Sequence, residues 1–101
     1  MIYHITSSRE WEKAKIAGSY TTPTLIDEGF IHASLDHQVE GVLKRYYAGQ
    51  SGLVKLEIDP SRLSSQLVHE WSPATQDTFP HIYGAINIDA VVGEEEVISE
   101  Q

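Results

Sequence analysis

At 101 residues with 41% apolar content, the chain is long enough for one domain with a modest core and too short for a second. It holds no cysteine, which removes disulfides, thiolate metal sites and a cysteine nucleophile and fits a cytoplasmic protein. The formal charge of −8 is uneven, −1 over residues 1–50 (five Lys/Arg against six Asp/Glu) and −7 over residues 51–101 (two against nine), so no broad basic face stands ready to displace counterions and nucleic acid is not expected as a principal partner.

The first residues, Met1-Ile2-Tyr3-His4-Ile5-Thr6, are rich in strand formers and turn polar at Ser7, with no basic start leading into an apolar run. They read as a short buried strand and not as a signal peptide. No stretch approaches the ~18 apolar residues of a membrane span, so no membrane partner is expected. Ser7 and Glu10 stand at capping-box spacing and predict a helix from about Ser8. That helix puts Trp11, Ala14 and Gly18 near one face and stops at Gly18.

Residues 19–28 read as a connection broken at Pro23, with a short turn near Thr24. Gly29 then turns the chain into a strand through Phe30-Ile31-His32-Ala33-Ser34, and Ser34 or Asp36 stands where it can cap the next helix. In that helix Val39, Val42, Leu43 and Tyr46 recur at spacings of three and four, one apolar stripe, with Gly49 as its end.

Leu53 to Asp59 alternates cleanly: Val54, Leu56 and Ile58 face one way, Lys55 and Glu57 the other, and Pro60 stops the strand. A helical turn over residues 61–65, a strand over 66–71, a polar loop over 72–79 and a last strand pair within 85–97 complete the reading. Glu94-Glu95-Glu96 and Glu100 form an acidic C-terminal end (residues 93–101), which ordinarily is only solvated. Two main helices among five or six strands, out of strict alternation, give an α+β fold.

The histidines carry the chemical interest. Three of the five, His4, His32 and His81, sit between apolar neighbours on a strand or at its end. A strand side chain points away from its neighbours, so a small sheet brings three such rings into one groove easily. Imidazole there suits hydroxyl binding or proton transfer near neutral pH. A lone histidine in such a setting is ordinarily a hydrogen-bonded interior ring; three in parallel shift the reading towards a shared site. Glu70, beside Trp71, is the candidate pocket acid.

Among the aromatics, Tyr20 and Tyr83, each in a loop context, are the expected walls for a flat ring. Ser34 is a candidate ligand contact, and Gly84 a place where a ligand approaches the backbone. No Gly-x-Ser-x-Gly elbow or glycine-rich phosphate loop is present. His32 with His37, and His69 with Glu70, supply ligand types without a metal-site spacing, so no metal is expected. No pattern specifies an oligomeric state.

Ile2-Tyr3-His4-Ile5, Trp11, Gly18-Ser19-Tyr20, Glu28-Gly29-Phe30-Ile31-His32-Ala33-Ser34 and Phe79-Pro80-His81-Ile82-Tyr83-Gly84 together resemble the domain of unknown function 952 (DUF952) family over residues 1–92. The resemblance implies a fold similar to that of the ADP-ribosyltransferases, a small split and bent β-sheet around a cleft for nicotinamide dinucleotide. It places His4 and His32 at the ribose, as in the branch of RNA 2′-phosphotransferase, and makes NAD or an ADP-ribose derivative the expected ligand. Glu70 is the counterpart offered for the late glutamate of toxin-like transferases. Against this, Arg9, Arg45 and Arg62 lie outside the motifs that would hold a phosphate. A non-catalytic nucleotide or small-ligand binding module and a protein-interaction domain with structural histidines are the other readings, since fold alone never fixes a reaction.

Overall fold

Apolar side chains alternate over residues 53–59 and recur at three and four over residues 39–46, and the computed structural model, which describes residues 1–98, forms a strand on the first pattern and a helix on the second. The order is β1 (Ile2–Ser7), α1 (Ser8–Ala17), β2 (Ser19–Tyr20), α2 (Pro23–Glu28), β3 (Ile31–His32), α3 (Val39–Tyr46), β4 (Leu53–Ile58), β5 (Gln66–Ser72), β6 (Asp77–Tyr83), β7 (Ile86–Asn87) and β8 (Val91–Val97). The strands form three antiparallel groups, β1-β4-β8, β2-β7 and β3-β6-β5. A bridge joins the first group to the third: Tyr3 N–H donates to Ser34 O at 2.8 Å and Ser34 N–H to Tyr3 O at 2.7 Å.

The β1-β4 register sets what each face buries. Ile2, His4 and Thr6 lie opposite Ile58, Leu56 and Val54. This face packs with Trp11, Ala14 and Tyr20 into the main core. The opposite parity puts Ile5 and Leu53 against Val39 in a second, smaller cluster. One sheet is therefore covered by α1 on one side and α3 on the other. Ser7 caps α1 by accepting from Glu10 N–H at 3.0 Å, and Gly18, at φ 92°, ends it in the left-handed region that glycine takes without strain.

Four expectations change. The connection before residue 29 contains strand β2 and a six-residue helix, α2, with Pro23 in its first turn, where proline's missing N–H costs nothing. Neither Ser34 nor Asp36 caps the next helix. A 3₁₀ turn, Asp36–Gln38, precedes α3, and the Gln38 side chain reaches back to accept from Leu35 N–H at 2.8 Å. The polar stretch 72–79 is a hairpin: β5 runs on to Ser72, β6 starts at Asp77, and Gln76 N–H donates to Ser72 O at 2.8 Å to close the turn. Pro80, which ordinarily argues against an inner strand, sits within β6 with its carbonyl accepting from Ala33 N–H at 3.0 Å.

The acidic run is the middle of β8, not a solvated end. Leu56 faces Glu94, Lys55 faces Glu95 and Val54 faces Glu96, with Lys55 Nζ 3.3 Å from Glu95 and the Trp11 indole N–H donating to Glu94. Its carboxylates stay exposed while its backbone completes the sheet. Glu100, the last acid of that run, lies outside the described residues. Among the described residues no helix is long and apolar enough to cross a membrane.

Candidate functional site

Strand β1, the end of β3, helix α3 and the β5-β6 hairpin surround a cleft of ≈ 560 Å³. That is within the usual range for a small-molecule site. The Tyr3–Ser34 bridge holds β1 beside β3, and the β3-β6 pairing sets His32 directly opposite His81. His4, His32, His81 and Ser34 all line this cleft, so residues far apart in the chain do converge.

The three rings have different duties. His4 is buried and both its nitrogens are used internally. Nδ1 lies 2.6 Å from His32 O and Nε2 lies 2.8 Å from the Tyr20 hydroxyl. A carbonyl only accepts, so Nδ1 carries the proton and Nε2 accepts from Tyr20 O–H. Burial pushes the His4 imidazole down to about 4 and the Tyr20 phenol up to about 12, so both are neutral at physiological pH. His4 thus fixes the floor of the cleft through the backbone of β3, with no ring nitrogen left for a sugar hydroxyl.

His81 is held differently. Its Nδ1 lies 2.8 Å from Glu70 Oε1, and Phe30 stacks on its ring at a centroid distance of 4.1 Å and an angle of 15°. The carboxylate accepts, so Nδ1 carries a proton and Nε2 is the ring nitrogen left outside that bond. The Tyr83 hydroxyl donates to the same Glu70 oxygen. That bond first, and His81 second, hold the Glu70 carboxyl below its ordinary range, while the carboxylate pushes the Tyr83 phenol up. His32 stands 5.3 Å from His81, centroid to centroid and nearly edge-on, with Nε2 3.1 Å from Glu28 Oε2. Two imidazoles, each backed by a glutamate, therefore face one another across a strand pair.

Several expected contacts stand elsewhere. Glu70 is not part of the lining; it sits behind His81 as that ring's anchor. Tyr20 is a core residue and Tyr83 lies outside the cleft, so neither forms a wall. Gly84 meets no cleft either: a Cβ there would stand 2.4 Å from Ser65 Oγ, so its bareness serves the close passage of the two chain segments. The aromatic walls are instead Tyr3, Tyr46, Tyr47, Trp71 and Phe79, with Tyr46 and Trp71 exposed at 65% and 62%. Arg45, which the motifs had left aside, also lines the cleft. Its signal was the Gly41-Val42-x-x-Arg45 spacing, which sets Arg45 above a bare position one turn back. Among the described residues no group of three His, Cys, Asp or Glu is arranged to hold a metal ion.

The DUF952 family profile, described as protein of unknown function, matches residues 5–94. The chain is similar to protein CC0527 from Caulobacter crescentus. Its crystal structure superposes with a TM-score of 0.87 at 31% identity, covering 96% of this chain and 85% of that one. The solution NMR structure of CC0527 gives a TM-score of 0.81 at 31% identity, covering 95% and 83%. No curated protein matches the chain.

Proposed function

The chain belongs to the DUF952 family, whose function is unknown, and from the cleft we propose that it takes a nucleotide-class ligand, NAD or an ADP-ribose derivative, with His81 as the acid–base group. The observation that carries this is the Glu70–His81 pair at the wall of an aromatic cleft of ≈ 560 Å³. A carboxylate on Nδ1 fixes ring and tautomer and leaves Nε2 free to accept a proton, an arrangement that recurs where imidazole acts as a base. Flat aromatic walls suit an adenine or nicotinamide ring. Ser34 and His32 offer hydrogen-bonding groups for the hydroxyls of a sugar, and those residues are present in the lining.

The sequence's resemblance to the ADP-ribosyltransferase fold points to one reaction. An incoming hydroxyl forms a bond to the ribose C1′ as the C1′–N bond to nicotinamide breaks. Nicotinamide leaves with the bonding pair, and His81 Nε2 takes the hydroxyl proton. The test is NAD incubation with nicotinamide release followed by NMR, beside a binding titration with ADP-ribose. We expect His81→Ala to retain ADP-ribose binding and to lose on the order of 100-fold or more in release. Binding without release, in parent and variant alike, identifies a binding module in place of an enzyme. If neither NAD nor ADP-ribose binds, the nucleotide reading fails.

A further inference from the structure

The charges of this protein are sorted in a way its composition does not require. The chain carries fifteen Asp and Glu, yet among the described residues none lines the cleft. Of its seven Lys and Arg, Lys13, Lys15, Lys44, Lys55 and Arg62 each stand within 4 Å of a carboxylate. Arg45 has no carboxylate partner among the described residues, and its guanidinium lies 5.7 Å from the ring centroid of Tyr46. An unpaired guanidinium in a cleft whose described lining holds no carboxylate, on a protein of charge −8, is suited to an anion.

Two further features give that position a shape. A smaller hollow of ≈ 150 Å³ adjoins the cleft, and Arg45, Thr75 and Phe79 line both. Gly41 stands one helical turn before Arg45, and a Cβ there would come within 2.9 Å of Nη1. The bare position is what lets the guanidinium lie back between the two spaces. At the tip of the hairpin the Thr75 hydroxyl is buried with no hydrogen-bond partner among the described residues, so a polar group on the same wall has a bond still to make. Asp77 borders the hollow, but its carboxylate is already engaged. Gln38 Nε2 donates to it at 2.8 Å, Thr78 N–H at 2.8 Å and His37 Nε2 at 3.4 Å.

We infer that Arg45, lying over Gly41 where cleft and hollow meet, forms a subsite for a phosphate group of the ligand. This deepens the nucleotide reading, and in its substrate claim rests on it: the ligand is phosphorylated, and its diphosphate lies towards α3 while the ribose that carries the reacting C1′ meets His32 and His81.

Arg45 is exposed, so Arg45→Gln leaves the fold intact. Gly41→Ala keeps the charge and removes the place where the guanidinium rests. Inorganic phosphate is titrated while the Arg45 Nε–Hε resonance is followed by NMR, with chloride at equal ionic strength as the control, and ADP-ribose affinity is measured in parent and variants. The expected result is a saturable shift of Arg45 with phosphate, a fall in ADP-ribose affinity on the order of tenfold or more in Arg45→Gln, and a smaller fall in Gly41→Ala.

If ADP-ribose binds parent and Arg45→Gln equally and phosphate leaves the Arg45 signal where chloride does, the subsite is wrong while the nucleotide reading stands. If phosphate moves Arg45 and ADP-ribose does not bind, the subsite stands and the nucleotide reading falls. Silence from both ligands overturns both.

Discussion

A buried imidazole with both nitrogens bonded inside the protein is a stability element, and His4 makes that measurable. Unfolded, His4 titrates near its ordinary 6.5; folded, burial holds it down to about 4. Between those values the unfolded chain binds a proton that the native state refuses. Stability therefore falls as pH falls through this window, by on the order of 3 kcal/mol, and this group adds no slope above or below it. Urea unfolding at about pH 7 and about pH 5 checks this against His4→Gln, expected to be weaker near pH 7 and flatter with pH. Parallel losses in parent and variant would show that His4 does not carry the slope. The convergence of His4, His32 and His81 was legible from their matching settings in the sequence, because strand parity alone turns such rings away from their neighbours. Their division of labour was not. Tyr20, whose hydroxyl occupies His4 Nε2, and Glu70, which takes His81 Nδ1, reach those rings through pairings set by the tertiary fold. The same reason inverted the aromatics: Tyr20 is drawn into the core by the β2-β7 pairing, while Tyr46, last of an apolar stripe, leaves the core for the cleft rim.

At the scale of elements, the clearest case is the corner between β6 and β7. Gly84 has φ 156°, and the Ser65 hydroxyl occupies the space a side chain would need while donating to Ala85 O at 2.7 Å. Gly84→Ala is expected to cost about 1–3 kcal/mol, by overpacking against Ser65, and to leave ligand binding in the cleft unchanged. Ser65→Gly in the same chain should return part of that loss, a coupling that a double-mutant cycle of denaturant midpoints reads directly. An additive cycle, or a loss of ligand affinity in Gly84→Ala, would restore the glycine to the site. The elements that local pattern predicts well are those whose pattern is complete within the segment: β1, α1 with its Ser7 cap, α3 and β4. The stretch 66–71 is legible as strand β5, which runs one residue further, but its partner β6 escapes because it is half-exposed and carries Asp77 and Pro80, so neither alternation nor propensity marks it. Strands β2, β3 and β7 have two residues each, too few to show a period at all.

For the whole molecule the question is where the domain ends. The resemblance of the sequence covers residues 1–92, and the residues beyond it read as an acidic appendage. The fold instead gives β8 the outer place in the β1-β4-β8 sheet, with Gly93 to Val97 paired along β4 from Glu57 to Leu53. Strand β4 buries Leu53, Val54, Leu56 and Ile58, so the residues that β8 covers are the centre of the core. A chain cut after residue 92 would leave β4 as an edge of unpaired backbone groups beside that core, a state that costs folding energy and invites association with other chains. We expect the 1–92 chain to lose cooperative unfolding and most amide dispersion in its NMR spectrum, a loss comparable with a whole domain's ~5–15 kcal/mol. The charges themselves matter little by comparison. Glu94, Glu95 and Glu96 are exposed, and replacing all three by Gln keeps the backbone pairing and leaves an oxygen for the Trp11 N–H. That variant is expected to melt within ~1 kcal/mol of the parent. A truncated chain that folds and melts like the full one would show that neither the pairing nor the charges of the last strand hold this sheet, and a triple variant that unfolds like the truncation would place the stability in the surface charges and not in the backbone pairing.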